Sequence, residues 1–162
     1  AMSSKAKRAS RIKHRDASKP LPTHAKRVVR ERPTSPVLID TSALIWWVSD
    51  APQLSRKARV ILLDPTQSIL VSAVSFWEIG SKVRRGRLVL PSSFSDFVDV
   101  ISSMDRVTIL SADLAEWLEA ADLEWGHRDP ADRLIVATAR LRNIPLISSD
   151  RVIQRFYRST IW

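Results

Sequence analysis

From residue 37 onward the apolar positions change period several times. Val37-Leu38-Ile39 is an unbroken apolar triplet ending on Asp40, Thr41 and Ser42, the pattern of a short strand buried on both faces that delivers an acid to a helix mouth. Residues 43–48, with Trp46 and Trp47 among them, are too apolar and too long to extend that strand, so the chain turns there and a helix begins. Pro52-Gln53-Leu54-Ser55 reads as a turn and cap, and Ala58, Ile61 and Leu62 give residues 56–63 a helical stripe that Asp64-Pro65 breaks. The β-branched run 68–74 predicts a second buried strand, after which Ser75 and Glu78 have the form of a capping box. Glu78 is thereby expected in the first turn of a helix with a basic end, Lys82, Arg84 and Arg85, closing at Gly86.

Phe94, Phe97, Val98 and Ile101 predict a helix within residues 91–104, and residues 106–110 a third strand. Asp113 opens an amphipathic helix carrying Leu114, Trp117, Leu118 and Ala121. A loop at 125–128 leads to Asp129-Pro130-Ala131-Asp132, which matches an N-cap, a proline at the first helical position and an acid at the third, ahead of the apolar helix 134–141. Asn143-Ile144-Pro145 stops that helix; residues 146–150 predict a fourth strand ending on Asp150, then a helix with Val152, Ile153 and Phe156, and residues 160–162 a last edge strand. Strands alternating with helices predict an α/β fold, a central and mainly parallel sheet with helices on both faces.

Composition adds the boundary. Residues 1–36 hold 11 Lys and Arg against Asp16 and Glu31, whereas residues 37–162 hold 15 basic and 15 acidic residues, so the whole net charge of +9 lies in the first segment. That segment is poor in apolar residues and cannot offset its ordering entropy by burial, so residues 1–36 are expected to form a disordered basic arm and residues 37–162 the folded domain. The arm reads equally as a solvated leader or as a phosphate-binding element, and its Arg- and Ser-rich composition also suits a transit peptide. No apolar run approaches the roughly 18 residues of a membrane span, and a cytoplasmic protein is expected. The lack of cysteine removes disulfides, thiolate metal sites and a cysteine nucleophile. Three scattered glycines, Gly80, Gly86 and Gly126, cannot build a phosphate loop or a dinucleotide fingerprint.

Asp40, Glu78, Asp132 and Asp150 each occur where a strand or loop gives way to a helix. Taken singly, each reads first as a helix cap. A parallel sheet, however, gathers every strand-to-helix junction on one edge, and carboxylates assembled there repel one another unless a cation neutralises them. Oxygen-only ligands suit Mg²⁺ or Mn²⁺, and such ions serve phosphodiester hydrolysis.

Four segments in register carry a resemblance: residues 38–50 (LIDTSALIWWVSD), 71–91 (VSAVSFWEIGSKVRRGRLVLP), 127–139 (HRDPADRLIVATA) and 145–150 (PLISSD), with the closing Thr160-Ile161-Trp162. Together they resemble a PIN-domain ribonuclease of the VapC toxin type, over nearly all of residues 37–162. The resemblance implies a three-layer α/β/α fold and a metal-dependent endoribonuclease that is the toxin of a toxin–antitoxin pair. It places catalytic, metal-coordinating carboxylates at Asp40, Glu78, Asp132 and Asp150. Thr41, Asp129 and Ser148 are implied as outer partners: Asp129 as a helix cap, Thr41 orienting a carboxylate or a bound water. The fourth segment departs from the family pattern, having Ser148 and Ser149 where a Thr and often an Arg precede the acid. The implied partners are an RNA substrate, a cognate antitoxin protein and a second copy of the chain, with no membrane.

Arg84, Arg85 and Arg87 cluster beyond Glu78, and Arg128 and Arg133 bracket the third segment; beside an acidic pocket they would seat an RNA backbone, and otherwise they are solvated surface. Trp46 and Trp47 are adjacent, so one is expected in the core and the other exposed toward the antitoxin. His127, alone in its loop, is expected to be a bystander. Two other readings stand beside the nuclease. One is a non-catalytic module binding RNA or protein, whose acids are only caps. The other is a phosphatase of the haloacid-dehalogenase type, which would need an Asp where this chain has Ser42.

Overall fold

The computed structural model of the chain describes residues 35–162. The basic arm expected over residues 1–36 therefore lies, apart from its last two residues, outside the described part. Among the described residues, β1 (Val37–Ile39), β2 (Ile69–Ser72), β3 (Val107–Leu110), β4 (Leu146–Ile147) and β5 (Thr160–Ile161) form one sheet in the order β3-β2-β1-β4-β5, every neighbouring pair parallel. The helices are α1 (Thr41–Val48), α2 (Arg56–Leu63), α3 (Ala73–Arg84), α4 (Phe94–Ser102), α5 (Leu114–Asp122), α6 (Pro130–Arg142) and α7 (Arg151–Phe156).

The apolar triplet of β1 shows how the layers arise. Alternate side chains of a strand point to opposite faces. Val37 and Ile39 accordingly join a core with Leu44 of α1, Ala58 and Leu62 of α2, and Phe97 and Ile101 of α4, whereas Leu38 joins Leu134, Ile135 and Val136 of α6, Ala120 of α5 and Ile153 of α7. All of these side chains are buried. The continuous hydrophobic run is thus explained by two covered faces, and the expected three-layer α/β/α arrangement is present.

Local signals set most of the boundaries. Ser55 caps α2 by accepting from the Ala58 N–H, Asp113 and Glu116 close a capping box on α5, and Asn143 ends α6 in a left-handed conformation at φ 51°. Gly86, at φ +66°, makes the turn that releases the chain from α3. At Gly80 a side chain would press on the Phe94 ring at 3.1 Å, so the missing Cβ lets α4 approach α3.

The second strand differs from its expectation. β2 ends at Ser72, whose hydroxyl accepts from the Val74 N–H and starts α3 two residues early. Ser75 is therefore not a cap: its hydroxyl is fully buried and accepts from the Thr41 Oγ1 at 3.0 Å. Glu78 sits in the second turn of α3, beyond the reach of a capping box.

Candidate metal centre at the carboxyl edge of the sheet

The register of the strands places three side chains level with one another. Ile39 pairs with Val71 on one side and with Ile147 on the other, so Asp40, Ser72 and Ser148, the next residues, stand together where the central strands end. The Asp40 N–H donates to the Ile147 carbonyl at 3.0 Å, tying the first acid to that edge. From the same edge α1, α3 and α7 depart, and α6 brings its first turn alongside. The result is a cavity of about 260 Å³ lined by Asp40, Thr41, Ser42, Glu78, Lys82, Asp129, Asp132, Ser149 and Asp150.

Three of these acids are also caps. Asp40 Oδ1 accepts from the Ala43 N–H at 2.7 Å, Asp129 Oδ1 from the Ala131 N–H at 2.9 Å, and Asp150 Oδ1 from the Val152 N–H at 2.6 Å. In each case the first carboxyl oxygen is spent on a helix N-terminus. Glu78 and Asp132 cap nothing.

Electrostatics mark the cavity as costly. Asp40 is only 5% exposed, and burial pushes its carboxyl up to about 6, opposed by hydrogen bonds from Ser148 and Ala43 and reinforced by the charges of Asp132 and Glu78. Burial also raises Asp132; the bond to His127 lowers it, and Asp129 and Glu78 raise it further. Glu78 Oε1 accepts from Lys82 Nζ at 2.5 Å, while Glu78 Oε2 is buried without a hydrogen-bond partner. A buried carboxylate oxygen left unpaired costs free energy that a cation would recover. Donor type and charge therefore fit a hard divalent ion, and the carboxylates of Asp40, Glu78, Asp129, Asp132 and Asp150 line the cavity. Among the described residues no three of these groups are already drawn together as a ligand set. Lys82, His127 and the helix N-termini hold them in its place.

The outer residues take definite positions. Ser148 is buried, bonds Asp40, and accepts from the Asp150 N–H at 3.1 Å, so one hydroxyl links two acids. Thr41 lines the cavity, but its hydroxyl hydrogen goes to Ser75 and not to a carboxylate. Arg84, Arg85, Arg87 and Arg128 are exposed. Arg133, expected beside them as an RNA contact, is spent internally: its guanidinium donates to the carbonyls of Ala120, Ala121, Leu123, Trp125 and His127. Neither Trp46 nor Trp47 is the exposed anchor expected. Both are half-buried, Trp46 against Trp162 with ring centroids 5.7 Å apart and Trp47 under the Arg106 guanidinium at 5.3 Å. The exposed tryptophans are instead Trp77 on α3, at 62%, and Trp117 on α5, at 50%.

Two residues escaped the sequence reading. Lys82 pairs with Glu78 at the i, i+4 helical spacing, a signal present in the sequence but read only as part of a basic helix end. His127, expected to be a bystander, holds Asp132 at 2.6 Å from Nε2 to Oδ2.

A family model for the PIN domain matches residues 37–159. Ribonuclease VapC22 of Mycobacterium tuberculosis is 26% identical to this chain over 115 residues, which are 71% of this chain and 87% of that protein. Two solved structures share the fold: VapBC2 from Rickettsia felis bound to a DNA fragment from their promoter, with TM-score 0.56, 15% identity and coverage of 78% of this chain and 96% of that one; and Mycobacterium tuberculosis VapC20, a sarcin-ricin loop cleaving toxin, with TM-score 0.53, 13% identity and coverage of 71% and 90%.

Proposed function

Because the chain belongs to the PIN domain family, we propose that it is a Mg²⁺- or Mn²⁺-dependent endoribonuclease hydrolysing RNA phosphodiester bonds, and the toxin of a toxin–antitoxin pair acting in the cytoplasm. The observation that carries this reading is the buried, unpartnered Glu78 Oε2 in the wall of a cavity that also holds Asp40, Asp132 and Asp150. Asp40, Glu78, Asp132 and Asp150 would hold the ion. When bound, a divalent cation supplies Lewis acidity that relieves the charge on a phosphodiester and eases deprotonation of the attacking water.

The chain's own groups do the rest. Ser148 fixes Asp40 and the backbone before Asp150, and Lys82 tempers the negative potential that would otherwise repel a phosphate. Arg84, Arg85, Arg87 and Arg128 offer charges for the RNA backbone; Arg133 does not, having no donor to spare. Family membership removes the phosphatase alternative. Total RNA incubated with the protein and Mn²⁺ should be cut, and cleavage should stop on chelation and in Asp132→Asn. Equal cleavage by wild type and Asp132→Asn would end the proposal.

The non-catalytic reading draws on the lack, among the described residues, of a closed ligand set. The chelator arm decides it, since a binding module retains RNA without cutting it. As to partners, the VapBC complex among proteins of this fold supports an antitoxin. The groove of about 530 Å³ between α1 and α4, lined by Ile45, Val48, Val89, Leu90, Phe97 and Val100, is the apolar surface we assign to it in place of Trp46 and Trp47. A homodimer would use Trp77, Leu114, Trp117 and Leu118, which are large, apolar and exposed.

A further inference from the structure

The loop between α5 and α6 is built from both ends. Arg133, in the first turn of α6, points its guanidinium back along the chain and binds the last carbonyls of α5, those of Ala120 and Ala121, at 2.8 and 3.2 Å. It then binds the loop carbonyls of Leu123, Trp125 and His127 at 2.9, 2.6 and 3.3 Å. Five acceptors on one planar cation leave the loop backbone little freedom. The side chains complete the clamp. The Trp125 ring stacks on Phe156 of α7, with centroids 4.7 Å apart and planes 10° apart, and on His127, at 4.4 Å and 19°. The Arg140 guanidinium lies 6.0 Å from the centroid of Phe156.

This stack ends on the acid. His127 Nε2 stands 2.6 Å from Asp132 Oδ2, with the two side chains 18% and 25% exposed. An ionised carboxylate only accepts, so Nε2–H donates. One Asp132 oxygen is thereby occupied, its side-chain torsion is set, and its other oxygen remains for the cavity. Asp132 is not a helix cap and makes no other side-chain bond among those described, so the imidazole is the group that orients it.

We propose that His127, held in place by the Phe156–Trp125 stack and the Arg133 clamp, is a positioning residue that orients Asp132 toward a divalent cation. The inference rests on the reading of Asp132 as a metal ligand. Its physical basis is general: outer partners that fix the orientation of a ligand typically change metal affinity by about 10- to 100-fold when removed. His127 enters neither the cavity wall nor any contact expected with RNA, so its effect passes through Asp132 alone.

The test uses the full chain, calorimetric titration with Mn²⁺, and thermal melting of the metal-free protein. His127→Phe keeps a ring to stack on Trp125 but has no nitrogen; His127→Gln gives up the ring but returns an N–H at about the reach of Nε2. Expected are a Mn²⁺ dissociation constant about 10- to 100-fold weaker in His127→Phe and one restored to within about threefold of wild type in His127→Gln. Melting follows the stack, and so ranks the two variants in the opposite order. Wild-type affinity in His127→Phe, or equal weakening in both variants, overturns the positioning role while leaving the metal site standing. A flat wild-type titration at millimolar Mn²⁺ overturns both, and is recognised because Asp132→Asn is then no different.

Discussion

A carboxylate has two oxygens, and Asp40 uses one of them for its helix. Oδ1 caps α1 through the Ala43 N–H, and the same carboxyl lines the cavity. The metal-free fold bears the cost of that second use, since burial raises the Asp40 carboxyl from 3.8 to about 6. A folded-state value above the unfolded one favours the protonated acid. Its contribution to stability is complete below about 3.8 and is lost as pH rises through about 6. Asparagine caps a helix as well as aspartate does. Asp40→Asn should therefore stabilise the metal-free chain at pH 7.5 by up to about 3 kcal/mol, and by little at pH 4. Urea unfolding in the presence of a chelator measures both, and an identical gain at the two pH values would contradict the assignment of cost to this charge. Capping and lining the cavity are not exclusive: Asp40 and Asp150 each cap a helix through Oδ1 and also form part of the cavity wall.

At the scale of elements, the decisive unit is the α5–α6 connection. Arg133 neighbours Asp132 in α6 but serves the opposite direction, since successive residues on a helix point about 100° apart. Asp132 thus reaches the cavity and Arg133 the loop. Replacing Arg133 with Met removes the donors of five carbonyls while keeping much of the stem. We expect a loss of about 2 to 4 kcal/mol, less than five full bonds because loop carbonyls regain water. Urea unfolding checks the magnitude; a loss below about 0.5 kcal/mol, usual for a surface position, would mean that the clamp carries no weight. Arg106 is used in a comparable way, donating to the carbonyls of Asp64 and Leu62 at the end of α2 while lying over Trp47. Neither role could be read from the sequence, where Arg133 beside Asp132 looks like a phosphate contact and Arg106 like the first residue of a strand. The partners of Arg106 lie more than 40 residues away, and those of Arg133 are backbone atoms that carry no residue signature.

For the whole molecule, an apolar groove of about 510 Å³ bounded by Trp77 and Trp117 lies apart from the acidic cavity. Leu114, Trp117 and Leu118 recur at helical spacing on the outward face of α5, and all three are exposed. If a second copy covers them, the wild-type protein sediments as a dimer and Leu114→Lys with Trp117→Lys as a folded monomer. A wild-type monomer, or a dimer that survives both substitutions, would remove this face from the interface. The groove is separated from the acidic cavity only by α3 and the start of α6, which place Trp77 next to Glu78 and Ala131 next to Asp132.

What the sequence determined alone was whatever depends on neighbours within a turn or a strand. The apolar triplet of β1, the caps at Asp129 and Asp150, the stop at Asn143 and the alternation of periods act over a few residues, and they suffice for a parallel α/β sheet with acids at its carboxyl edge. The tertiary structure alone decided which of those acids meet in one cavity and how Asp132 is held. Glu78 moved into the second turn of α3 because Ser72 supplied the cap, and Ser75 was claimed by Thr41 from another element. His127 became the partner of Asp132 because Phe156 of α7 and Trp125 stack beneath it. Backbone hydrogen bonding repeats at fixed short intervals and so leaves a pattern in the chain, whereas side-chain stacking and arginine–carbonyl bonds join residues at arbitrary separations and leave none.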